Sequence, residues 1–246
     1  MKDDTTEQRV LFDELVNRPL HVQFDQPDSS SDGGALLLKA ADQSLKLTQR
    51  LTQCLRDKRN PDFIILSYHD MLRQRIYGIC CGYEDCNDAA RLTDDPIHRL
   101  MIDRDPQLGE NLASQPTLSR FENAIDVRSL DRMAEELAEQ VVIRHRKRLG
   151  RKVKKITIDM DPTDDPTYGQ QQLTFFNSHY ANWCYLPVAG FLQFNDEPDQ
   201  YLFCYVLRPG DVHASYGAIA ILRRIIKNYA SISPESPFRT VLTCRS

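Results

Sequence analysis

Residues 156–169 read ITIDMDPTDDPTYG, and Asp159, Asp161, Asp164 and Asp165 fall within seven consecutive positions. Residues two apart on a strand share a face, so Asp159 and Asp161 would point the same way. Two carboxylates on one face repel unless a cation or a base shares the site. Hard oxygen donors of this kind suit Mg2+ or Mn2+, which are commonly held by one or two carboxylates plus phosphate oxygens. The same stretch would also make a good solvated turn, because Asp-Pro, Thr and Gly are turn formers. Spacing alone leaves both readings open. The ligand order of an EF-hand is missing, which disfavours a calcium loop.

A second group suggests anion contact. Residues 144–155 (RHRKRLGRKVKK) hold eight Lys or Arg in twelve positions, against a net charge of −4 for the whole chain. Arg144, Arg146, Lys147, Arg148, Arg151 and Lys152 are the DNA-contact candidates, through phosphate neutralisation and counterion release. A solvated helix end is the plainer alternative, since cations suit helix C-termini. Ser114 to Arg120 reads SQPTLSR. Gln115, Thr117, Ser119 and Arg120 near a helix N-terminus could reach phosphates or base edges, or simply belong to a capped connecting helix. Lys39, Arg73 and Arg75 are weaker candidates. His69, His179 and His213 read as packing or capping residues, with His213 early in a helix. Trp183 and the aromatic strands read as core. Cys80, Cys81 and Cys86 read as buried small hydrophobes rather than metal ligands. No Ser-His-Asp or Cys-His grouping is readable, and no phosphate-binding glycine loop occurs.

These residues need a scaffold. The chain has 246 residues, 41% hydrophobic and 27% charged, enough for a real core and enough length for one large or two small domains. No apolar run approaches the ~18 residues of a membrane span, and the N-terminus lacks the order of a signal peptide. Seven cysteines without a C-x-x-C pair point to reduced thiols and a cytoplasmic setting. Residues 1–32 read as a polar tail or linker. Residues 33–149 read as helical, with a capping box at Ser67–Asp70, a helix near Ser114 with Pro116 in its first turn, and a long helix over 128–148 whose apolar face is Leu130, Met133, Leu137 and Val141. Residues 151–246 read as strand, strand, strand, helix, strand. The first strand ends in the acids, 183–194 and 201–207 form a hairpin, the helix covers 212–229, and the last strand runs from Phe238 to Leu242. A crossover helix would set that last strand parallel to the first. The fold class is therefore α+β, helical first and a mixed sheet second.

The run from Asp159 to Gln171 resembles the first acidic motif of bacterial insertion-sequence DDE transposases of the group 1 type, with its D-x-D-x-T-D-D-P-x-x-G-x-Q pattern. Gly33–Leu38, Leu72–Gly78, Gly82–Asp85, Leu112–Asn123, Cys184–Pro187 and Leu207–His213 match the same family in order, so the resemblance runs from about residue 31 to residue 242. It implies an RNase H-like catalytic domain, here over 151–246 and partial, behind a helical DNA-binding region over 33–149. It implies three carboxylates holding two divalent ions, Mg2+ or Mn2+. Such ions activate water or a DNA 3′-hydroxyl and stabilise the leaving oxygen. The first catalytic and metal-binding carboxylate maps onto Asp161, with Asp159 as the alternative. The implied partners are the terminal inverted repeats of the element's DNA and a second copy, or a full-length transposase, in an oligomer. The implied setting is cytoplasmic and nucleoid-associated, with no membrane.

The sequence departs from the pattern after the last strand. The family's second aspartate follows that strand in a D-S-G-like turn, where this chain has Cys244-Arg245-Ser246, and a third acid would lie later still. The expectation at this level is a truncated, catalytically incomplete transposase without strand-transfer activity, its sheet faces exposed. The rival from another class is a DNA-binding remnant that inhibits a full-length transposase. A nuclease using the aspartates alone ranks third.

Overall fold

A computed structural model describes residues 29–232 and 239–244, together with a two-residue strand pair, Gln8–Arg9 (β1) and His21–Val22 (β2). The polar tail or linker expected over 1–32 lies almost wholly outside the described residues. The chain divides into two compact units, Met1–Leu130 and Asp131–Ser246.

The first unit is helical, as its periodicity predicts. Leu36–Leu45 (α1) and Leu47–Gln53 (α2) are separated by Lys46 in a left-handed conformation. Tyr68–Cys80 (α3) starts at the expected capping box: the Asp70 amide donates to Ser67 Oγ at 3.0 Å, and the Ser67 amide donates to Asp70 Oδ2 at 3.2 Å. Ala89–Leu92 (α4) and Pro96–Met101 (α5) follow, the latter capped by Asp95. Gln115–Ala124 (α6) carries Pro116 in its first turn, where a missing N–H costs nothing. Ala35, Leu36, Tyr77, Leu100 and Met101 form one core cluster. Gln74 is buried but satisfied, its amide exchanging 2.9 Å bonds with the backbone of Ala113.

The long helix Val127–Leu149 (α7) straddles the division between the units. Its fully buried positions are Ala138 and Val142, four residues apart; Val141 of the expected face packs against the same core, whereas Leu130 is exposed.

In the second unit, Lys155–Pro162 (β3) is the central strand of a four-stranded sheet. Asp165–Pro166 (β4), Phe175–Asn177 (β5) and Asn182–Tyr185 (β6) form a separate three-stranded sheet, and Val188–Phe194 (β7), Tyr201–Val206 (β8), Ala218–Ile232 (α8) and Arg239–Cys244 (β9) complete the unit. The four-stranded order is β8-β7-β3-β9. β7 and β8 are the expected hairpin, and β9 returns parallel to β3, so the crossover delivers the neighbour that the element order predicts. One face of the sheet, Ile156, Ile158, Met160, Leu192 and Phe194, packs with Ala138 and Val142 of α7 and Ile225 of α8.

Three expectations fail here. The run 183–194 is not one strand. It breaks at Leu186-Pro187 into β6 and β7, which belong to different sheets. Proline lacks the N–H that an interior ladder needs, and the Leu186 amide and Pro187 carbonyl turn instead to Arg208 and Thr163. The last helix begins at Ala218 rather than 212, after Gly217 at φ +78°. His213 therefore lies in the preceding turn, its Nδ1 2.9 Å from Ser215 Oγ. Trp183, expected in the core, is 57% exposed on β6, edge-on to the exposed Phe176 of β5.

Candidate carboxylate site and nucleic-acid interface

β3 is held on both sides: Asp159 pairs with Phe191 of β7 and Thr243 of β9, and Asp161 pairs with Ala189 of β7. Strand alternation puts Thr157, Asp159 and Asp161 on the face opposite the Ile156–Ile158–Met160 core. Asp159 is 7% exposed, whereas Asp161 is open at the end of the strand. Thr157 Oγ1, on the same face, is buried with no hydrogen-bond partner among the described residues. Asp164 is half-buried and Asp165 is exposed on β4. The donors this face offers are hard oxygens, the class that suits Mg2+ or Mn2+. Asp161 is the better placed to meet a ligand from solvent, and Asp159 lies behind it on the same face.

The loop after β8 is fastened to the Leu186-Pro187 link between β6 and β7. Buried Arg208 donates from Nε to the Leu186 carbonyl at 2.7 Å and from Nη1 to the Ala214 and Tyr216 carbonyls at 2.9 and 2.8 Å. Burial pushes its pKa down from the usual arginine range. Asn177 Nδ2 donates to the Gly210 carbonyl at 2.7 Å. These residues fall in the Leu207–His213 motif, but nothing in the sequence shows that the arginine is buried among carbonyls.

The basic run divides in the structure. Arg144, Arg146 and Lys147 are exposed on the last turns of α7, and Arg151 and Lys152 are exposed on the turn after Gly150, which sits at φ +55°. None of these five has an ion-pair partner among the described residues. Arg148 differs. It donates to both oxygens of Glu197 and to His145 Nδ1. Glu197 is held below the usual carboxylate range by that hydrogen bond. His145 is buried, stacked on Phe194 with ring centroids 4.6 Å apart. Asn195, at φ +57°, accepts from the amides of Lys154 and Lys155, so the β7–β8 turn caps the start of β3 with Asn195 and its acids.

On α6, Thr117 Oγ1 lies 3.1 Å from Ser114 Oγ and accepts from Arg120 at 3.3 Å. Gln115 and Ser119 line an open cleft of about 550 Å3 with Arg75, Glu84, Asp85 and Glu122. Arg75 is paired with Glu122 at 2.6 Å. Three acids against one arginine give that cleft a negative balance, which repels phosphate. Arg120 is exposed.

Two weaker candidates are corrected. Lys39 is 2% exposed and paired with Asp103 at 2.7 Å. Arg73 is buried between Asp70 and Asp103. Neither can reach a phosphate without dismantling that network. The cysteine expectation is corrected as well: Cys80 is exposed and Cys81 and Cys86 are only half-buried. Cys86 Sγ lies 3.3 Å from Glu122 Oε2.

Fold and site thus define an α+β protein whose central strand presents two carboxylates on one face at its end, with a cluster of exposed cations just before that strand. The chain belongs to the family described as Transposase DDE domain group 1, whose model matches residues 12–241. No curated protein and no solved structure matched the chain. Among the described residues, no helix is long and apolar enough to cross a membrane.

Proposed function

We propose that this chain acts on insertion-sequence DNA ends in transposition, with Asp161 as the principal metal-binding carboxylate and Asp159 behind it. The observation that carries this is the shared face of the two aspartates at the end of β3, beside the parallel strand β9. The β8-β7-β3-β9 order supports an RNase H-like reading of the second unit. When bound, Mg2+ or Mn2+ would supply nucleophile activation and charge stabilisation at phosphorus. Asp161 would hold the ion from the open end of the strand. The ladder to β7 fixes the backbone at both carboxylates, and the ladder to β9 fixes it at Asp159. Arg208 holds the loop after β8 against the Leu186-Pro187 link without meeting substrate.

The basic residues Arg144, Arg146, Lys147, Arg151 and Lys152 contact the DNA backbone in this reading, and Arg148 mainly fastens α7 to the β7–β8 turn. On α6, Arg120 is the side chain free to reach DNA, because the Gln115–Ser119 side faces acids. Each cation that neutralises a phosphate contributes about 0.9 to the slope of log affinity against log salt. Replacing Arg144, Arg146 and Lys147 by Gln is expected to flatten that slope by up to about 2.7. Replacing Arg148 alone should change it little. Filter-binding titrations across a salt series would show whether the ranking holds.

A second reading, binding without cleavage, is favoured by one observation. β9 runs alongside β3 but carries Arg239, Thr240, Val241, Leu242, Thr243 and Cys244, with no carboxylate among them. The test uses the purified chain and end-labelled DNA taken from both flanks of its own coding sequence, with Mg2+ or Mn2+. Cleavage that is lost in Asp161→Asn, with binding retained, supports the enzymatic reading. Salt-dependent binding with no cleavage supports the second. Absence of selective binding overturns both.

A further inference from the structure

We propose that Asp32, Cys81 and His98 form a zinc-type metal site that fastens the helical unit together, a site made by three elements of the first unit and independent of the β3 carboxylates. The ligand atoms of these three residues all lie within 4.8 Å of one another. They come from separate places: Asp32 precedes the turn Gly33–Ala35, Cys81 caps the C-terminus of α3, and His98 lies on α5. The flanking side chains Ala35, Leu36, Tyr77, Leu100 and Met101 already form one core, so an ion here would link the same elements that the apolar cluster links.

The donor set indicates the class of ion. A carboxylate oxygen, an imidazole nitrogen and a thiolate sulfur make a mixed, borderline-soft set, which suits Zn2+ and disfavours Mg2+ or Ca2+. Zinc bonds of ~2.0–2.3 Å would set tetrahedral donors about 3.3–3.8 Å apart. His98 Nε2 is 2.9 Å from Asp32 Oδ2, so this pair opens by a few tenths of an ångström to admit the ion, while Cys81 Sγ closes in. Three protein ligands leave a fourth position, open to water or to Tyr83, whose ring meets the His98 ring at 5.7 Å. His98 is almost fully buried, so its orientation is fixed before any ion arrives.

Without an ion, the Asp32–His98 contact is a simple polar clasp, and that is the alternative the experiment must separate.

The test uses the full chain, stripped with a chelator and titrated with Co2+ as a spectroscopic stand-in, then with Zn2+. The expected result is one equivalent bound per chain, with a sulfur-to-cobalt charge-transfer band and tetrahedral visible bands, both displaced by Zn2+. Cys81→Ser should abolish the charge-transfer band. His98→Ala should weaken Zn2+ binding about tenfold or more. Zn2+ should raise the thermal unfolding midpoint of the parent chain and not that of Cys81→Ser. Asp161→Asn should leave all of this unchanged. Should His98→Ala fail to fold, Cys81→Ser carries the test, because the half-buried Cys81 loses only one atom's identity. Absence of the charge-transfer band, or its persistence in Cys81→Ser through another cysteine, overturns the proposal.

Discussion

Gly210→Ala is expected to destabilise the second unit by more than about 4 kcal/mol, beyond the usual range for a point substitution. A Cβ at this position would lie 2.0 Å from the carbonyl oxygen of Cys184 and 2.7 Å from that of Phe175. Both atoms are backbone, and both belong to strands of the β4-β6-β5 sheet, so no rotamer change relieves the clash. The loop must lift away, and it takes with it the 2.7 Å bond from Asn177 and the Arg208 contacts that brace Leu186. Gly190→Ala makes a useful comparison. Its Cβ would meet Cys204 Sγ at 2.6 Å and the Phe203 ring at 2.7 Å, which are side-chain atoms that can shift. About 1–3 kcal/mol is expected there, the ordinary cost of overpacking. Denaturant unfolding of both variants checks the ranking. A Gly210→Ala chain as stable as the parent would show that the loop does not dock against the sheet.

Much of this fold is legible because local chemistry specifies it. Ser67 and Asp70 cap a helix at the spacing a capping box requires, and Pro116 sits where its missing N–H is harmless. A strand ending in acids, a hairpin, a helix and a further strand leave few ways to close a sheet, and β9 lies beside β3 and parallel to it, as a helical crossover connection allows. What escapes the sequence depends on partners distant along the chain. Residues 183–194 look like one apolar strand, and only the docking of Thr163 and Arg208 on Pro187 and Leu186 shows why it breaks. Arg148 belongs by composition to the basic run and by geometry to Glu197, 49 residues away. Asp32 and His98 meet across 66 residues, and no spacing rule could have joined them with Cys81. The aspartate pair itself is legible, but its division into a buried Asp159 and an open Asp161 follows from strand pairing and burial.

Asp103→Asn is expected to destabilise the helical unit by about 2–3 kcal/mol. Lys39 is buried, and its ammonium has two acceptors, Asp103 at 2.7 Å and the Leu100 carbonyl at 2.6 Å. Arg73 is buried too and donates to both Asp103 and Asp70. Removing the Asp103 charge leaves two buried cations with one carboxylate between them. A fully buried pair broken this way costs ~3–5 kcal/mol. The Asp103 side chain is itself 60% exposed, so water recovers part of the loss and the smaller figure applies. Asparagine isolates the charge, because Asp103 sits at φ +66° and Asn tolerates that conformation. Alanine would add backbone strain, so Asp103→Ala should cost more than Asp103→Asn. Lys39→Met should cost less than either, because it removes a buried charge and leaves an exposed carboxylate still paired with Arg73. The same network sets an acid limit. Burial pushes the Asp103 carboxyl up, but hydrogen bonds from Lys39 and Arg73 outweigh it and hold the group below its ordinary 3.8. Asp70 is lowered likewise, burial opposing the bonds from Arg73 and Ser67. A carboxylate depressed in the fold contributes stability that is complete above its unfolded pKa and is lost as pH falls through the folded one. Stability of the parent chain should therefore hold above the ordinary value of 3.8 and fall away below it. The Asp103→Asn chain should show a shallower acid slope, since one of the two titrating groups is gone. Equal acid slopes in the two chains, measured by denaturant midpoints across that range, would remove Asp103 from the network's account.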